Sequence, residues 1–209
     1  NDLEFSGGAF RVRGTPSDDA GKTLGDCSLA VFAAHNLPDG VEPTLDAEAT
    51  FDPSNFSFPH GTHLAAMEVD TETGKATLRS YVCVDDVGVQ INPLIVEGQV
   101  HGGLAQGIAQ ALYEGAVYDD DGNLLTASMA DYLLPTTMDV PRVDLEYLPT
   151  PSPLNPLGMK GAGQGGTIPV PAAVAGAVED ALAPFGVRIA RAPFSESDIA
   201  DWIEEAAAR

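Results

Sequence analysis

The sequence predicts an α+β fold in which mixed sheets pack against helices. Two strand-like runs, 63–70 and 76–85, flank the hairpin loop 71–75. An apolar side chain recurs every four residues from Val96 to Leu112, which predicts a long helix. Strands and helices follow one another without a regular βαβ alternation, so the pattern favours α+β over a parallel α/β sheet.

The N-terminal part of the chain, residues 1–62, is predicted to be irregular with short strands. Phe10–Arg13 has strand character, and the polar stretch 15–26 is predicted to be a mobile loop. Residues 28–35 favour one or two helical turns, which the turn-forming residues 36–40 then end. Residues 63–209 form the second predicted region.

The second region carries three further signals. Asp121 and Gly122 mark the turn of another hairpin. Four prolines within 149–158 predict an extended linker that is neither strand nor helix. Beyond it, 171–182 is predicted to be a helix, and Ser195 is predicted to cap a last helix over 196–208.

Composition bounds the function classes. The chain has 209 residues, of which 44% are hydrophobic, and its formal net charge of −21 disfavours binding to nucleic acid or anionic membranes. A solvated acidic surface and adaptation to high salt both explain this charge. We expect neither a signal peptide nor a membrane span, because no basic start precedes an apolar run and no run approaches ~18 residues.

Cysteine and histidine spacing gives little sign of a metal site. Cys27 and Cys83 lack a paired spacing, which disfavours zinc or iron–sulfur ligation and favours a reducing, cytoplasmic compartment. Cys83 lies in an apolar run and is predicted to be a buried thiol. The four histidines are interpreted as structural, and no serine lies in a G-x-S-x-G motif. The four histidines are His35, His60, His63 and His101.

A glycine-rich loop, 160–167, is the first candidate binding site. It contains a G-x-G-x-x-G match, but a proline-rich segment precedes it where a dinucleotide fold needs a strand. Residues without a Cβ let backbone N–H groups approach a ligand, and Lys160 adds a positive charge. The alternative is a flexible loop with close helix packing.

Two further places complete the candidates. Gln99, Gly103, Gln106 and Gln110 share one face of the long helix, where amides could bind a flat polar ligand. Tight helix packing at glycines 102, 103 and 107 is the alternative. The pair Asp85 and Asp86 ends a strand, where it could bind the N–H groups of a heterocycle or simply form an Asx turn.

Several ordered motifs resemble the xanthine oxidase family of molybdenum hydroxylases. They are the segments 84–88, 91–93, 97–103, 105–107, 150–158, 160–163, 166–168 and 171–172. More narrowly, the chain is similar to the large, molybdopterin-binding subunit of aerobic carbon-monoxide-dehydrogenase-type enzymes, most clearly over 48–190. The resemblance implies the fold of that molybdopterin-binding domain and makes 63–209 its molybdopterin-binding portion.

The resemblance implies a molybdenum–molybdopterin cytosine dinucleotide that loops hold without a protein ligand to the metal. Such enzymes hydroxylate a carbon centre with oxygen from water, and electrons leave through 2Fe-2S and FAD groups on partner subunits. By position, the cofactor contacts fall on eight residues. They are Asp85, Asp86, Asn92, Gln99, Lys160, Gly161, Ala162 and Gly163.

The chain departs from the family in two respects. It matches only the C-terminal part of such a subunit, which implies that cofactor binding and turnover need the rest of the large subunit as well as the iron–sulfur and flavin subunits. The family's G-x-G-E glutamate, its general base, is Gln164 here. A carboxamide is a poor proton acceptor near neutral pH, so Gln164 is a candidate catalytic position with altered chemistry. A non-catalytic docking or cofactor-loading module is therefore the alternative function.

Overall fold

The computed structural model describes residues 2–14 and 21–208. The chain divides into two compact units, Asn1–Asp52 and Pro53–Arg209. The predicted division after residue 62 stays a prediction. No helix among the described residues is long and apolar enough to cross a membrane.

The first unit is a small antiparallel sheet followed by a helix. Strands β1 (Leu3–Ser6), β2 (Ala9–Val12) and β3 (Lys22–Thr23) pair in that order, and helix α1 spans Leu24–Ala33. The predicted short strand and helix are confirmed.

The start of α1 corrects one prediction. Thr23 and Asp26 form a capping box, in which each side chain accepts a hydrogen bond from the other residue's backbone N–H. The helix therefore begins at Leu24, and the predicted loop over 15–26 is wrong at 22–26. Residues 15–20 of that prediction lie outside the described residues.

A mixed three-stranded sheet forms the base of the second unit. Strands β4 (His60–Val69) and β5 (Ala76–Asp86) pair antiparallel, and β6 (Val143–Tyr147) pairs parallel to β5. The mixed sheet and the first hairpin confirm the predicted α+β class. Strand β6 was not predicted, although its polar and apolar residues alternate strictly.

A β-bulge in the hairpin sets which side chains face the core. Met67 pairs with Leu78 and Ala66 pairs with Ser80, so the backbone of Arg79 has no paired residue opposite it on β4. The buried side chains of β5 are accordingly Leu78 before the bulge and Tyr81, Cys83 and Asp85 after it. An extra residue shifts the alternation of a strand by one, and the bulge thereby brings His63 directly opposite Cys83.

Three helices of the second unit contribute to its core. They are α2 (Pro93–Leu112), α3 (Val170–Ala181) and α4 (Glu196–Ala207), with a short 3₁₀ turn at Ala183–Phe185. Asn92 caps α2 and Ser195 caps α4 through their side chains. All three predicted helices are confirmed. The fully buried side chains include Tyr81, Leu104, Ile108, Val174 and Phe194.

Backbone approaches backbone between α2 and the start of α3. A Cβ on Gly107 would lie 2.5 Å from Cβ of Val170, and one on Gly166 would lie 2.7 Å from the carbonyl oxygen of Val100. A Cβ on Gly103 would meet the Thr167 hydroxyl at 2.8 Å. Close packing is therefore confirmed at Gly103 and Gly107, whereas Gly102 faces open space.

The proline-rich segment 149–158 is not extended. The predicted absence of strand and helix is confirmed, but the Ser152 N–H donates to the carbonyl of Gly158 at 3.0 Å and closes the segment into a loop. Gly158 has a φ of +68°, a left-handed conformation that glycine adopts without strain. The predicted second hairpin is present as a single antiparallel bridge between Tyr118 and Leu124.

Candidate functional site

The acid pair at the end of β5 divides between the two faces of the sheet, because successive side chains on a strand point in opposite directions. Asp86 binds Nζ of Lys160 at 2.7 Å and accepts from the backbone N–H of Thr150 at 3.0 Å and of Gly88 at 2.8 Å. The Thr150 hydroxyl donates to the same carboxylate and binds Lys160. We call Asp86, Thr150 and Lys160 the Asp86 cluster.

The Asp86 cluster is an ion pair with little exposure. The side chains of Lys160 and Asp86 are 16% and 12% exposed. Burial by itself would raise the pKa of Asp86, but the hydrogen bonds from Lys160, Thr150 and Gly88 together hold that pKa well below its usual range. Asp86 therefore stays ionised, and the bond to Gly88 is the Asx turn foreseen at this strand end.

The segment after β5 pairs with the start of the glycine-rich loop. Gly88 bridges Met159, the Val89 N–H donates to the carbonyl of Gly158 at 3.0 Å, and the Lys160 N–H donates to that of Val87 at 2.9 Å. Gly88 has a φ of +65°, and a Cβ there would lie 2.4 Å from the Gly158 oxygen. Only glycine fits this approach, so residues 87–89 and 158–160 are held together.

The loop itself is fastened to α2. The Gln99 side-chain amide donates to the carbonyl of Gly163 at 2.6 Å. Among the described residues, the N–H groups of Ala162, Gly163 and Gln164 have no protein partner, and a Cβ on Gly163 would meet open space. The loop therefore offers consecutive neutral hydrogen-bond donors to a ligand.

Two hollows adjoin this loop, and Val87 lines both. The smaller, of about 210 Å³, lies between the first turn of α2 and residues 159–162, and Asn92 and Lys160 line it. The larger, of about 330 Å³, lies between residues 58–61 and 165–169, and the Asp85 carboxylate lines it. The hollows give a ligand room on both sides of the site.

Asp85 occupies a buried polar cluster on the other face of β5. Its Oδ1 lies 3.3 Å from Nε2 of His63, whose Nδ1 lies 3.0 Å from the Tyr81 hydroxyl. Sγ of Cys83 lies 3.0 Å from the same Nε2. We call these four residues the Asp85 cluster. Within the described part of the chain, no Lys or Arg pairs with Asp85.

The thiol and the phenols around Asp85 are neutral near pH 7. Burial, followed by the charge of Asp85, raises the pKa of the Cys83 thiol well above its usual range. Burial likewise raises the pKa of Tyr81, and it raises that of Tyr147 to about 12. The Tyr147 hydroxyl is buried without a hydrogen-bond partner.

The structure brings most of the proposed cofactor residues together. Asp86 binds Lys160, Gln99 binds Gly163, and Asn92 lines the smaller hollow together with Lys160 and Ala162. Asp85 faces the larger hollow, and Gly161 donates from its N–H to the carbonyl of Ser57. Gln164 is exposed, and its carbonyl accepts from Thr167 and Ile168.

His63, Cys83 and Asp85 form a cluster that the sequence pattern does not predict. Their separation of about twenty residues resembles no metal or catalytic motif, because they lie on paired strands and not on one helix. The available signal was Tyr81, Cys83 and Asp85 at spacings of two on one predicted strand, with a histidine on its hairpin partner.

The chain is similar to a known protein family, to several proteins in sequence and to solved structures. The model of a family described as "Molybdopterin cofactor-binding domain" matches residues 1–141. The carbon monoxide dehydrogenase large chain of Hydrogenophaga pseudoflava is 40% identical over 190 residues, which cover 90% of this chain and 23% of that protein.

Two further similarities concern proteins that are named for nitrogen heterocycles. The nicotine 6-hydroxylase large subunit of Paenarthrobacter nicotinovorans is 43% identical over 78% of this chain and 20% of its own length. Quinoline 2-oxidoreductase from Pseudomonas putida 86 superposes with a TM-score of 0.91 and 42% identity, over 98% of this chain and 26% of that one. This chain thus spans about a quarter of the length of its relatives.

Proposed function

The chain belongs to the molybdopterin cofactor-binding domain family, within the xanthine oxidase family of molybdenum hydroxylases, and on that premise we propose that it supplies part of the cofactor site of a molybdenum-dependent oxidoreductase. The observation that carries the proposal is the Gln99 bond to Gly163, which holds the glycine-rich loop beside open hollows. The rest of the large subunit would complete the site.

The donor set fits a polar heterocycle. The loop offers backbone N–H groups, and the positive charge of Lys160 is already balanced by Asp86, so the site is rich in neutral donors. Pterins carry several hydrogen-bonding atoms on a flat ring, which such donors bind well. We assign cofactor contacts to eight residues. They are Asp85, Asp86, Asn92, Gln99, Lys160, Gly161, Ala162 and Gly163.

The cofactor form that we propose is molybdenum–molybdopterin cytosine dinucleotide. When bound, it would supply oxidative hydroxylation of a carbon centre, or oxidation of CO, with water as the oxygen source. The residues of this chain would bind and orient it: Gln99 fixes the loop, and the Asp86 cluster fixes the strand end that faces it. The relatives named for CO and nicotine support this class of reaction.

Gln164 is proposed to occupy the position of the family's glutamate base. Its side chain is exposed and takes no part in the hydrogen bonds that order the loop. The backbone carbonyl of Gln164 accepts those bonds, from Thr167 and Ile168. A carboxamide there would donate and accept hydrogen bonds without taking a proton. Activity would then depend on another proton acceptor.

We propose that the chain works in a complex with the remaining part of a large subunit, an iron–sulfur subunit and a flavin subunit that carries FAD. Two relatives are the large chain of a carbon monoxide dehydrogenase and subunit gamma of a 6-hydroxypseudooxynicotine dehydrogenase complex. Exposed apolar side chains around the loop also suit burial by another polypeptide. They include Leu94, Ile95 and Ile168, which are 77%, 67% and 72% exposed. We expect this complex in the cytoplasm, where Cys27 and Cys83 would stay reduced.

Metal analysis of the purified complex tests the cofactor role. Coexpression with the partner chains should yield one molybdenum per complex, and Gln99→Leu should lower that occupancy severalfold because the loop loses its bond to α2. Gln110→Leu serves as the matched control and should keep full occupancy, because Gln110 is exposed, lies about three turns further along α2 and is not among the eight assigned contacts. Equal molybdenum in both variants would contradict the assigned role of Gln99.

A second measurement separates the enzyme from a docking or cofactor-loading module, which the missing carboxylate at Gln164 favours. Gln164→Glu should raise turnover of an aldehyde, an N-heterocycle or CO by about 10²–10⁴-fold, the usual contribution of a general base. Molybdenum in the complex without turnover in either form would support the module instead.

A further inference from the structure

We propose that the Asp85 cluster binds one divalent zinc-like cation through Nε2 of His63, Sγ of Cys83 and a carboxylate oxygen of Asp85. These three ligand atoms lie within 4.8 Å of one another and belong to buried side chains. The inference goes beyond the proposed molybdopterin role and does not rest on it, because His63 and Cys83 are not among the assigned cofactor contacts and only Asp85 is shared with them.

The distances suit a cation of this size. Zinc bonds of about 2.0–2.3 Å in a tetrahedral site place neighbouring ligand atoms roughly 3.5 Å apart. Nε2 of His63 lies 3.0 Å from Sγ of Cys83 and 3.3 Å from Oδ1 of Asp85. All three ligand atoms lie within 4.8 Å of one another, so side-chain adjustments within the cluster would bring them to the spacing that a metal needs. Thiolate, imidazole and carboxylate together favour zinc over magnesium or calcium.

The surroundings of the three ligands also suit a metal site. The Tyr81 hydroxyl bonds Nδ1 of His63, which orients the ring and leaves Nε2 for the metal. Tyr147 lies directly across from Asp85 on β6, and its buried hydroxyl has no partner. A water molecule in the fourth position of a metal could bond to that hydroxyl.

Charge gives a separate argument. The carboxylate of Asp85 is 5% exposed and has no Lys or Arg partner among the described residues; its neighbour is Nε2 of His63 at 3.3 Å, and a buried carboxylate is costly unless it is well paired. On binding, the thiol of Cys83 would release its proton to solvent and become a thiolate. The complex of a divalent cation with one thiolate, one carboxylate and one neutral imidazole has no net charge. The metal would therefore compensate the negative charge of Asp85.

An entry path is present. Asp85 lines the hollow of about 330 Å³ that residues 58–61 and 165–169 enclose. A cation could reach the carboxylate from this hollow without unfolding of the sheet, and a fourth ligand could approach from the same side. The site therefore has the ligands, the second layer of hydrogen bonds and the access that a metal site needs.

Cobalt provides the test, because a thiolate bound to Co²⁺ gives charge-transfer absorption that carboxylates do not give. The metal-free 209-residue chain is titrated with Co²⁺ in excess Ca²⁺, which occupies acidic surface sites. We expect one Co²⁺ per chain with a thiolate band, and displacement of Co²⁺ by Zn²⁺. Cys83→Ser should weaken binding at least about 100-fold, whereas Cys27→Ser should leave it unchanged; Tyr81→Phe should weaken it about 10-fold.

The same titration can overturn the proposal. Absence of a thiolate band in the parent chain would show that the cluster is held only by its hydrogen bonds and binds no metal. A band that survives in Cys83→Ser, or that Cys27→Ser removes, would place the metal elsewhere. If Cys83→Ser does not fold by circular dichroism, Asp85→Asn takes its place and should weaken Co²⁺ binding while the thiolate band remains.

Discussion

Asp85 and Asp86 are neighbours in sequence, yet the structure treats their carboxylates differently. Asp86 is paired with a lysine and also accepts hydrogen bonds from Thr150 and Gly88, whereas Asp85 is surrounded by a histidine, a thiol and a phenol. The carboxylate on one face of β5 is therefore balanced by a lysine, whereas the carboxylate on the other face has no Lys or Arg partner among the described residues. A buried carboxylate that is paired with its own cation is stabilised in the ionised form, and one without such a pair is a candidate for ligand binding.

Removal of the lysine should have the largest effect on this contrast. Lys160→Met leaves the ionised Asp86 half-buried without its cation, and the free energy of unfolding should fall by about 3 kcal/mol. Urea unfolding followed by circular dichroism measures the change, with the exposed Lys75→Met as the matched control. The double variant Asp86→Asn/Lys160→Met should lose less than the sum of the two single variants, and strict additivity would refute the pairing.

A methyl group beside the other acid should have the next largest effect. A Cβ at Gly61 would lie 2.0 Å from Oδ1 of Asp85, so Gly61→Ala should displace the carboxylate and cost about 2 kcal/mol. Gly102→Ala is the control, because it adds a Cβ in open space on a helix and should stabilise by about 0.5–1 kcal/mol. If Gly61→Ala left the free energy of unfolding unchanged, the carboxylate of Asp85 would be free to move.

The pH dependence of stability should distinguish the paired acid. Because the pKa of Asp86 is lower in the folded than in the unfolded chain, its contribution is complete above about pH 4 and is lost as the pH falls towards the folded pKa. Asp86→Asn should therefore be less stable than the parent by about 1.5 kcal/mol at pH 7. This difference should shrink below about pH 4, and a constant difference in urea unfolding across that range would contradict the prediction.

The smallest effect is expected at the exposed ion pair between Arg79 on β5 and Glu68 on β4. Arg79 binds Glu68 at 2.5 Å, but the two side chains are 59% and 63% exposed. Solvent screens such a pair, so Arg79→Ala should leave the urea midpoint within experimental error of the parent. A shift comparable to that of Lys160→Met would mean that burial does not explain the strength of the Asp86 cluster.

Much of the fold follows from local sequence patterns. The four-residue stripe of α2, the Ser195 cap of α4 and the loop between β4 and β5 lie where their patterns predict them. The motifs around Asp86 and the glycine-rich loop also indicated a shared site, and the Lys160 and Gln99 contacts join them. These signals are local or depend on several ordered motifs, which explains their success.

The Asp85 cluster could not be predicted in the same way. Strict alternation from Leu78 would place residues 80, 82 and 84 in the core. The bulge at Arg79 moves the buried side chains to Tyr81, Cys83 and Asp85 instead. Nothing in a single sequence marks this bulge. The closed loop at 149–158 was missed for a similar reason, because its Ser152–Gly158 bond outweighs the extended preference of its prolines.

The bulge also determines where the hairpin tolerates a change in length. Deletion of Arg79 would leave Leu78 and Ser80 as neighbours, and the regular alternation that results keeps Leu78, Tyr81, Cys83 and Asp85 on one face. Deletion of Val82 would instead turn Cys83 and Asp85 away from the side on which Tyr81 lies. Deletion of one residue should therefore preserve the buried face of β5 at Arg79 and disrupt it three residues further along.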